Sequence, residues 1–495
     1  MTAIPATRRP LVIAAVMLST AMIAIEATIV ATAMPRIVGQ LGGLTLYSWV
    51  FSAFLLTQTA ATVVFGRLAD VYGRRPMLLA GIGVFLVASI ACGLARSMEA
   101  LVAFRLLQGV GAGAIQPVAQ TVVGDLYDAE ERGRVQGALA SVWACASLLG
   151  PLVGALLVEH VGWPWIFWVN IPFGLLAAGL FIRNLHEGVT RSGEPVDGLG
   201  AALFTLAVGA LMVALTEFGA GNGRAVAWSA AVFVLGAVLF VAQERRSAAP
   251  LVSLGLWGRR PIAAANGAAL LSGMALIGLS TFLPMYVQGV LRQSPIVAGL
   301  ALTVLTVGWP IGATLAVRFY RRYGLRAVLV AGSLFLPLGA CAFLFLDPGA
   351  SPLVAGLGSL VMGVGMGLLS ATSLVMIQEI TPWSQRGSAT ASNVFARNLG
   401  SALGAAVFGA VLNAGLAGSG GAPVSSEALQ GVLAAAEGAG SEAVRGLLQA
   451  ALHRTFWAVF LASLATAAAA LLVPHVSLGR RPLEAAPDRP APAWG

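Results

Sequence analysis

Gly66-Arg67-Leu68-Ala69-Asp70-Val71-Tyr72-Gly73-Arg74-Arg75-Pro76 lies between two long apolar runs and reads as a short charged connection between two membrane-spanning helices. Gly66 and Gly73 carry no Cβ, which permits a close backbone approach and a tight turn. Pro76 suits the first turn of the following helix, where its missing N–H is not needed. Arg67, Arg74 and Arg75 outnumber Asp70, which places the loop on the cytoplasmic face because short arginine-rich loops stay inside. Arginines alone would suit any such loop. The ordered set G-x-L-A-D-x-x-G-R-R-P is far more restrictive.

Outward from this loop the chain stays apolar. Hydrophobic residues make up 58% of the 495 and charged residues 10%, against about 25% charged in soluble domains. Mean hydropathy is +0.87, a balance that does not fit a soluble globular protein. A membrane helix needs about 20 apolar residues. About fourteen runs reach that length, near 11–34, 46–66, 77–95, 101–121, 135–157, 164–184, 199–219, 226–243, 262–284, 297–317, 327–346, 352–376, 389–413 and 455–474. The first run leads into a second span without a cleavage site, so it is read as a retained helix. The net charge of +9 does not point to nucleic acid, because the arginines are scattered through short loops and build no basic face.

The chain has no lysine, so arginine alone sets the orientation. With the N-terminus inside, the inner segments hold most arginines, from Arg8 and Arg9 to Arg480 and Arg481. The outer segments hold only Arg36, Arg96, Arg224, Arg292, Arg445 and Arg454. Both termini are therefore expected in the cytoplasm. Residues 415–452 are expected to form a long external loop with a short helix near 427–435, and the Pro-rich tail after Arg480 to be disordered. Cys92, Cys145 and Cys341 lie far apart inside apolar runs and read as small packing residues, with no metal spacing.

Three stretches within the spans carry chemistry. Glu26 sits in Ile25-Glu26-Ala27-Thr28-Ile29-Val30, where a carboxylate costs about 2.5–3.5 kcal/mol at a helix centre and should face the bundle interior. It is either a proton-exchanging group that contacts cationic substrate or a structural acid hydrogen-bonded to a neighbour. Arg105 opens Arg105-Leu106-Leu107-Gln108-Gly109-Val110-Gly111-Ala112-Gly113; a guanidinium inside a bundle needs an acid or several carbonyls, and the glycines permit close helix packing. It could influence the proton on Glu26 or be purely structural. In Gly150-Pro151-Leu152-Val153-Gly154 the proline removes a backbone hydrogen bond and kinks its helix. Arg397 falls near the middle of the thirteenth span, lining a cavity or neutralising an acid. Glu217 and Glu379 lie near span ends and read as interfacial.

An internal repeat ties the halves together. A shift of 251 lays Arg67, Tyr72, Gly73 and Arg75 on Arg318, Tyr323, Gly324 and Arg326, while a shift of 254 lays Arg132, Gly133 and Gly150 on Arg386, Gly387 and Gly404. Arg321 stands where Asp70 stands, so an acid-dependent latch is expected only in the first half.

The loop, the R-x-x-Q-G-x-G stretch from Arg105, the G-P-x-x-G stretch from Gly150 and Trp163-Pro164-Trp165-Ile166-Phe167-Trp168-Val169-Asn170-Ile171-Pro172-Phe173-Gly174 occur in the order seen in one family. The chain resembles the major facilitator superfamily, and within it the fourteen-helix drug:proton antiporters, over about residues 11–413. Its first-helix acid departs from that family, where Asp is usual. The tryptophans fit an outer interfacial belt, whereas Asn170 and Pro172 do not.

The resemblance implies an all-α polytopic membrane protein with two parallel six-helix halves and two inserted central helices. The expected divisions are 1–190, an inserted pair within 191–250, a second half at 251–478, and a tail at 479–495. It also implies a role for Glu26 and Arg105 in proton coupling or substrate binding; Arg397 joins that candidate set from its mid-span position alone. Gly66, Asp70, Gly73, Arg74 and Arg75 would act in a conformational loop. Gln108, Gly109 and Gly111 belong to the helix-4 motif, and Gly150, Pro151 and Gly154 to the antiporter motif.

The expected protein is a monomeric, proton-coupled exporter of small amphipathic organic compounds, an antibiotic or multidrug pump in a bacterial cytoplasmic membrane. A proton-coupled carrier of a sugar, amino acid or siderophore is the alternative. No cofactor or metal is expected. A chain without lysine cannot build the G-x-x-x-x-G-K-[ST] phosphate loop. His160, His186, His453 and His475 lie near span ends or in loops, which argues against an intramembrane enzyme.

Overall fold

A computed structural model describes residues 7–43, 46–187, 197–219, 222–247, 250–252, 254–417 and 441–476. Among these, every regular element is helical, as lipid requires of a chain that must satisfy its backbone internally. Fourteen helices are long and apolar enough to cross a membrane. They are α1 (Arg9–Leu41), α2 (Tyr47–Tyr72), α3 (Arg74–Gly93), α4 (Met98–Leu126), α5 (Ala129–His160), α6 (Asn170–Asn184, spanning together with the short helix Trp165–Trp168 before it), α7 (Gly198–Gly219) and α8 (Gly223–Glu244). The rest are α9 (Arg260–Gly289), α10 (Pro295–Tyr323), α11 (Leu325–Leu344), α12 (Pro352–Ile380), α13 (Arg386–Ala417) and α14 (Ser441–Leu471).

Helix ends follow local chemistry. Ser97 accepts the Ala100 N–H at 3.2 Å to open α4, and Asp128 with Glu131 forms a capping box at the start of α5. Gly73 and Gly324 close α2 and α10 at φ +97° and +84°, so the sequence repeat is also a repeat of turn geometry. Most helices extend past the expected limits. Helices α2 and α3 take up 66–72 and 74–76, so the expected 66–76 connection narrows to Gly73, and two other limits differ most. The helix α1 runs through Pro35 to Leu41, and α14 begins at Ser441, so 441–452 are helix and not external loop. Arg445 donates to the Val290 carbonyl at 2.9 and 2.7 Å, anchoring that polar first turn where hydropathy gives no signal. Arg191, the helix expected near 427–435 and the tail after Arg480 lie outside the described residues.

The halves meet in two pseudo-symmetric contacts. On one side α2 packs against α13, where a Cβ on Gly66 would sit 2.3 Å from Ala391 Cβ. On the other, α5 packs against α10, where a Cβ on Gly133 would sit 2.2 Å from Val317 Cγ2. The inserted hairpin α7–α8 lies against both halves. Phe204 stacks with Phe240 on α8 at 5.2 Å and with Phe395 on α13 at 5.5 Å, while Gly209 approaches Leu56 on α2. An apolar groove of about 840 Å³ on this hairpin is lined by residues of α7 and α8 alone, including Thr205, Gly209 and Trp228.

Small residues set these spacings. A Cβ on Gly400 of α13 would fall 1.9 Å from the Leu270 carbonyl oxygen of α9, whereas one on Gly409 would meet nothing within 4 Å. Gly400→Val is therefore expected to destabilise the purified protein by about 3 kcal/mol or more, and Gly409→Val by less than about 1. Thermal unfolding in detergent would separate the two; equal melting temperatures would contradict this packing.

Candidate functional site

The buried acid of α1 anchors a polar centre inside the first half. Glu26 is 0% exposed. It forms an ion pair with Arg105 of α4, and its other oxygen accepts the Asn170 side-chain N–H at 2.7 Å. The Arg105 Nε donates to the Val50 carbonyl at 3.0 Å, its Nη1 donates to Gln108 Oε1 at 2.7 Å, and its guanidinium lies 4.4 Å from the Phe54 ring centroid. Gln108, one turn from Arg105 on the same face, donates onward to Ser89 Oγ at 2.9 Å. Both charges are thus held by helices α1, α2, α3, α4 and α6, in surroundings where an unpaired charge would be costly.

The motif glycines make this possible. Cβ atoms on Gly109 and Gly113 would meet the Phe54 and Gln58 carbonyls of α2 at 2.3 and 2.5 Å, while one on Gly111 would meet the Phe85 nitrogen of α3 at 2.6 Å. The helix α4 therefore wedges between α2 and α3 and pushes Arg105 towards α1. On the opposite side of α1, a Cβ on Gly150 would sit 2.1 Å from Thr28 Oγ1, which donates to the Ala146 carbonyl at 3.2 Å. The proline motif of α5 is thereby seated two residues from Glu26; Gly154 is buried and Pro151 is exposed.

A second polar centre clasps the halves at the end carrying residues 66–76. Asp70 accepts from Arg74 at 3.1 Å and, across the interface, from the Gly387 N–H at 2.9 Å and the Ser388 N–H and hydroxyl, each at 2.8 Å. Its charge thus sits at the N-terminus of α13, where the helix dipole favours an anion. Arg74 also bonds Asp125 at 3.0 Å and lies 4.2 Å over the Trp383 ring, and Asp125 accepts from Arg386 at 2.7 Å. Glu187 accepts the Arg74 and Arg75 N–H groups at 3.0 and 3.1 Å. Burial pushes its carboxyl above the usual carboxylate range, against those hydrogen bonds and the Arg74 charge.

The structure brings Asp70 and Arg74 together but not Arg75, whose guanidinium turns away to the Ile182 carbonyl at 2.7 Å. At the second-half loop the charge is reversed, with Arg321 pairing with Glu130 at 2.9 Å; beside it Arg132 pairs with Glu379 at 2.5 Å, the counterpart of Arg386 with Asp125. Glu379 is thus an inter-half partner, beyond the interfacial role read for it. Arg397 joins neither centre. The sequence reading left Asn170 without a role, placed Arg386 only as the repeat partner of Arg132, and passed over Ser89, Asp125, Glu187 and Ser388, whose only signal was a polar side chain in or beside an apolar run.

The Major Facilitator Superfamily profile matches residues 16–405. The chain belongs to the major facilitator superfamily. It is 32% identical over 416 residues to the multidrug transporter protein MdtP of Bacillus subtilis (strain 168), covering 82% of this chain and 76% of that protein. It is also 32% identical over 411 residues to multidrug resistance protein 3 of the same organism, covering 81% and 79%. Among solved structures, the human organic anion transporter MFSD10 (TETRAN) superposes with a TM-score of 0.64 at 18% identity, covering 92% of this chain and 99% of that one. At that identity the likeness speaks for the fold alone. This major facilitator is a multi-pass membrane transporter whose relatives include proteins named for multidrug transport and multidrug resistance.

Proposed function

We propose that this major facilitator is a proton-coupled exporter of amphipathic organic compounds, working as a monomer in a bacterial cytoplasmic membrane by alternating access. Both termini and the 66–76 loop would face the cytoplasm. The observation that carries this reading is the ion pair of Glu26 and Arg105, buried within membrane helices of the first half. Full burial leaves Glu26 no surface to offer a cationic substrate, so the role proposed for it is proton exchange without substrate contact. The competing structural acid, bonded to Asn170 and Arg105, is the outcome that unchanged export by Glu26→Gln would establish. Protonating Glu26 would remove the counter-charge of Arg105 and loosen α1 from α4. The hydrogen bonds and ion pairs between the halves gather at the loop end, so the structure suits an outward-facing member of the cycle.

The names of the bacterial relatives support multidrug compounds as cargo. In inverted vesicles, a pH gradient acid inside is expected to drive accumulation of some member of a panel of dyes, quaternary ammonium compounds and antibiotics, without ATP. Collapse of the gradient with nigericin should stop it. Accumulation that persists after collapse would exclude proton coupling, and transport confined to sugars, amino acids or siderophores would establish the metabolite carrier instead.

A further inference from the structure

We infer that Arg397 is the docking point for the acid group of an amphipathic organic anion, which makes carboxylates or sulfonates the preferred cargo of this transporter. The inference rests on the exporter reading and narrows its substrate class.

Arg397 lies near the middle of the membrane span Trp383–Leu416. Asn393, Arg397, Gly400 and Gly404 share one face of α13, by helical spacing. Asn393 donates to Asn266 of α9 and to Ser373 of α12, each at 3.2 Å. Cβ atoms on Gly400 and Gly404 would collide with Leu270 and Met274 of α9, and one on Gly273 would lie 2.3 Å from the Arg397 carbonyl. The row bearing Arg397 therefore faces protein, between α9 and α12, and not lipid. Its side chain is nonetheless only half-buried, and it makes no hydrogen bond or ion pair among the described residues.

A guanidinium at that depth is costly unless water or an anion reaches it. Among the described residues, no carboxylate is placed to do so. Glu26 is sealed in the first half with both oxygens engaged. Asp70, Asp125, Glu130 and Glu379 are committed at the loop end. The polar side chains on the neighbouring turns, Asn266, Ser373 and Asn393, are neutral. An arginine free to present its planar fork matches a carboxylate or sulfonate, and its charge repels an ammonium. The cargo's acid would be recognised here, while the proton site stays separate in the other half.

Binding by the full chain in nanodiscs would test this. Pyrenebutyrate, pyrenebutanamide and pyrenebutylamine share one apolar body and differ in charge, and energy transfer from the protein's tryptophans reports each against empty nanodiscs. The acid is expected to bind about tenfold or more tighter than the amide, with the amine weakest. In R397Q that preference should vanish, while R397K keeps most of it. An amine that binds wild type as tightly as the acid would overturn the inference, even were R397Q unable to fold. So would an acid preference that survives in R397Q, or R397-dependent stabilisation by chloride alone. Binding is read without a gradient. Its failure beside intact gradient-driven export removes only the anion assignment; acid binding without export removes only the exporter reading.

Discussion

Glu26→Gln is expected to reduce pH-gradient-driven export by about 100-fold or more, to the background of empty vesicles, because the exchangeable proton disappears while the side-chain shape stays. The same change leaves Arg105 charged within a bundle whose nearest acid was Glu26. Removing one partner of a buried pair costs about 3–5 kcal/mol, so the single variant should also melt well below wild type. Arg105→Gln alone leaves the opposite charge stranded and should melt low for the same reason. Glu26→Gln combined with Arg105→Gln removes both charges and keeps polar groups facing Asn170, Gln108 and the Val50 carbonyl. Its melting temperature should recover most of the way to wild type while its export stays at background. That separation is the decisive feature, since a merely structural pair would regain transport along with stability. Full gradient-driven export by Glu26→Gln would make the acid structural, and the proton would have to be sought elsewhere.

How much of this could be seen in the sequence depends on whether a signal is local. The helices were legible because each is a long apolar run, and the turn at Gly73 because its turn and charge chemistry lies within consecutive residues, although 66–72 and 74–76 are the ends of α2 and α3 and not loop. Arg105 and Gln108 were legible as one face of one helix. Their partners were not. Asn170 reaches Glu26 across 144 positions and Ser388 reaches Asp70 across 318, and neither distance leaves a trace in local composition. Arg75 shows the converse: adjacent to Arg74 and equally charged, it points to a different helix because successive side chains on a helix turn by roughly 100°. The start of α14 was missed for a third reason. Its first turns carry Glu442 and Arg445, which pair with Arg292 and the Val290 carbonyl, so the helix continues where the apolar signal has ended.

Asp70→Asn is expected to unclasp the halves at the loop end. The carboxylate there receives four hydrogen bonds from Arg74, Gly387 and Ser388, whereas a carboxamide brings one acceptor oxygen and an NH2 that meets further donors. The Arg74 guanidinium would keep Asp125 but lose half its buried counter-charge, and the N-terminus of α13 would lose its anion. Because the Gly387 and Ser388 contacts cross the interface, much of a loss of about 3–5 kcal/mol falls on the clasped arrangement, enough to shift the balance by 100-fold or more. Spin labels at Tyr72→Cys and Tyr323→Cys, in a chain with Cys92, Cys145 and Cys341 replaced by Ala, would report this as a longer distance in electron-electron resonance. Both tyrosines are exposed at the ends of α2 and α10. Arg75→Gln is the control: its guanidinium holds the Ile182 carbonyl within the first half, so the distance should stay at the wild-type value. An unchanged distribution in Asp70→Asn would mean that the inter-half pairs Arg132–Glu379 and Arg321–Glu130 suffice to hold the clasp, and that Asp70 serves the fold of its own loop.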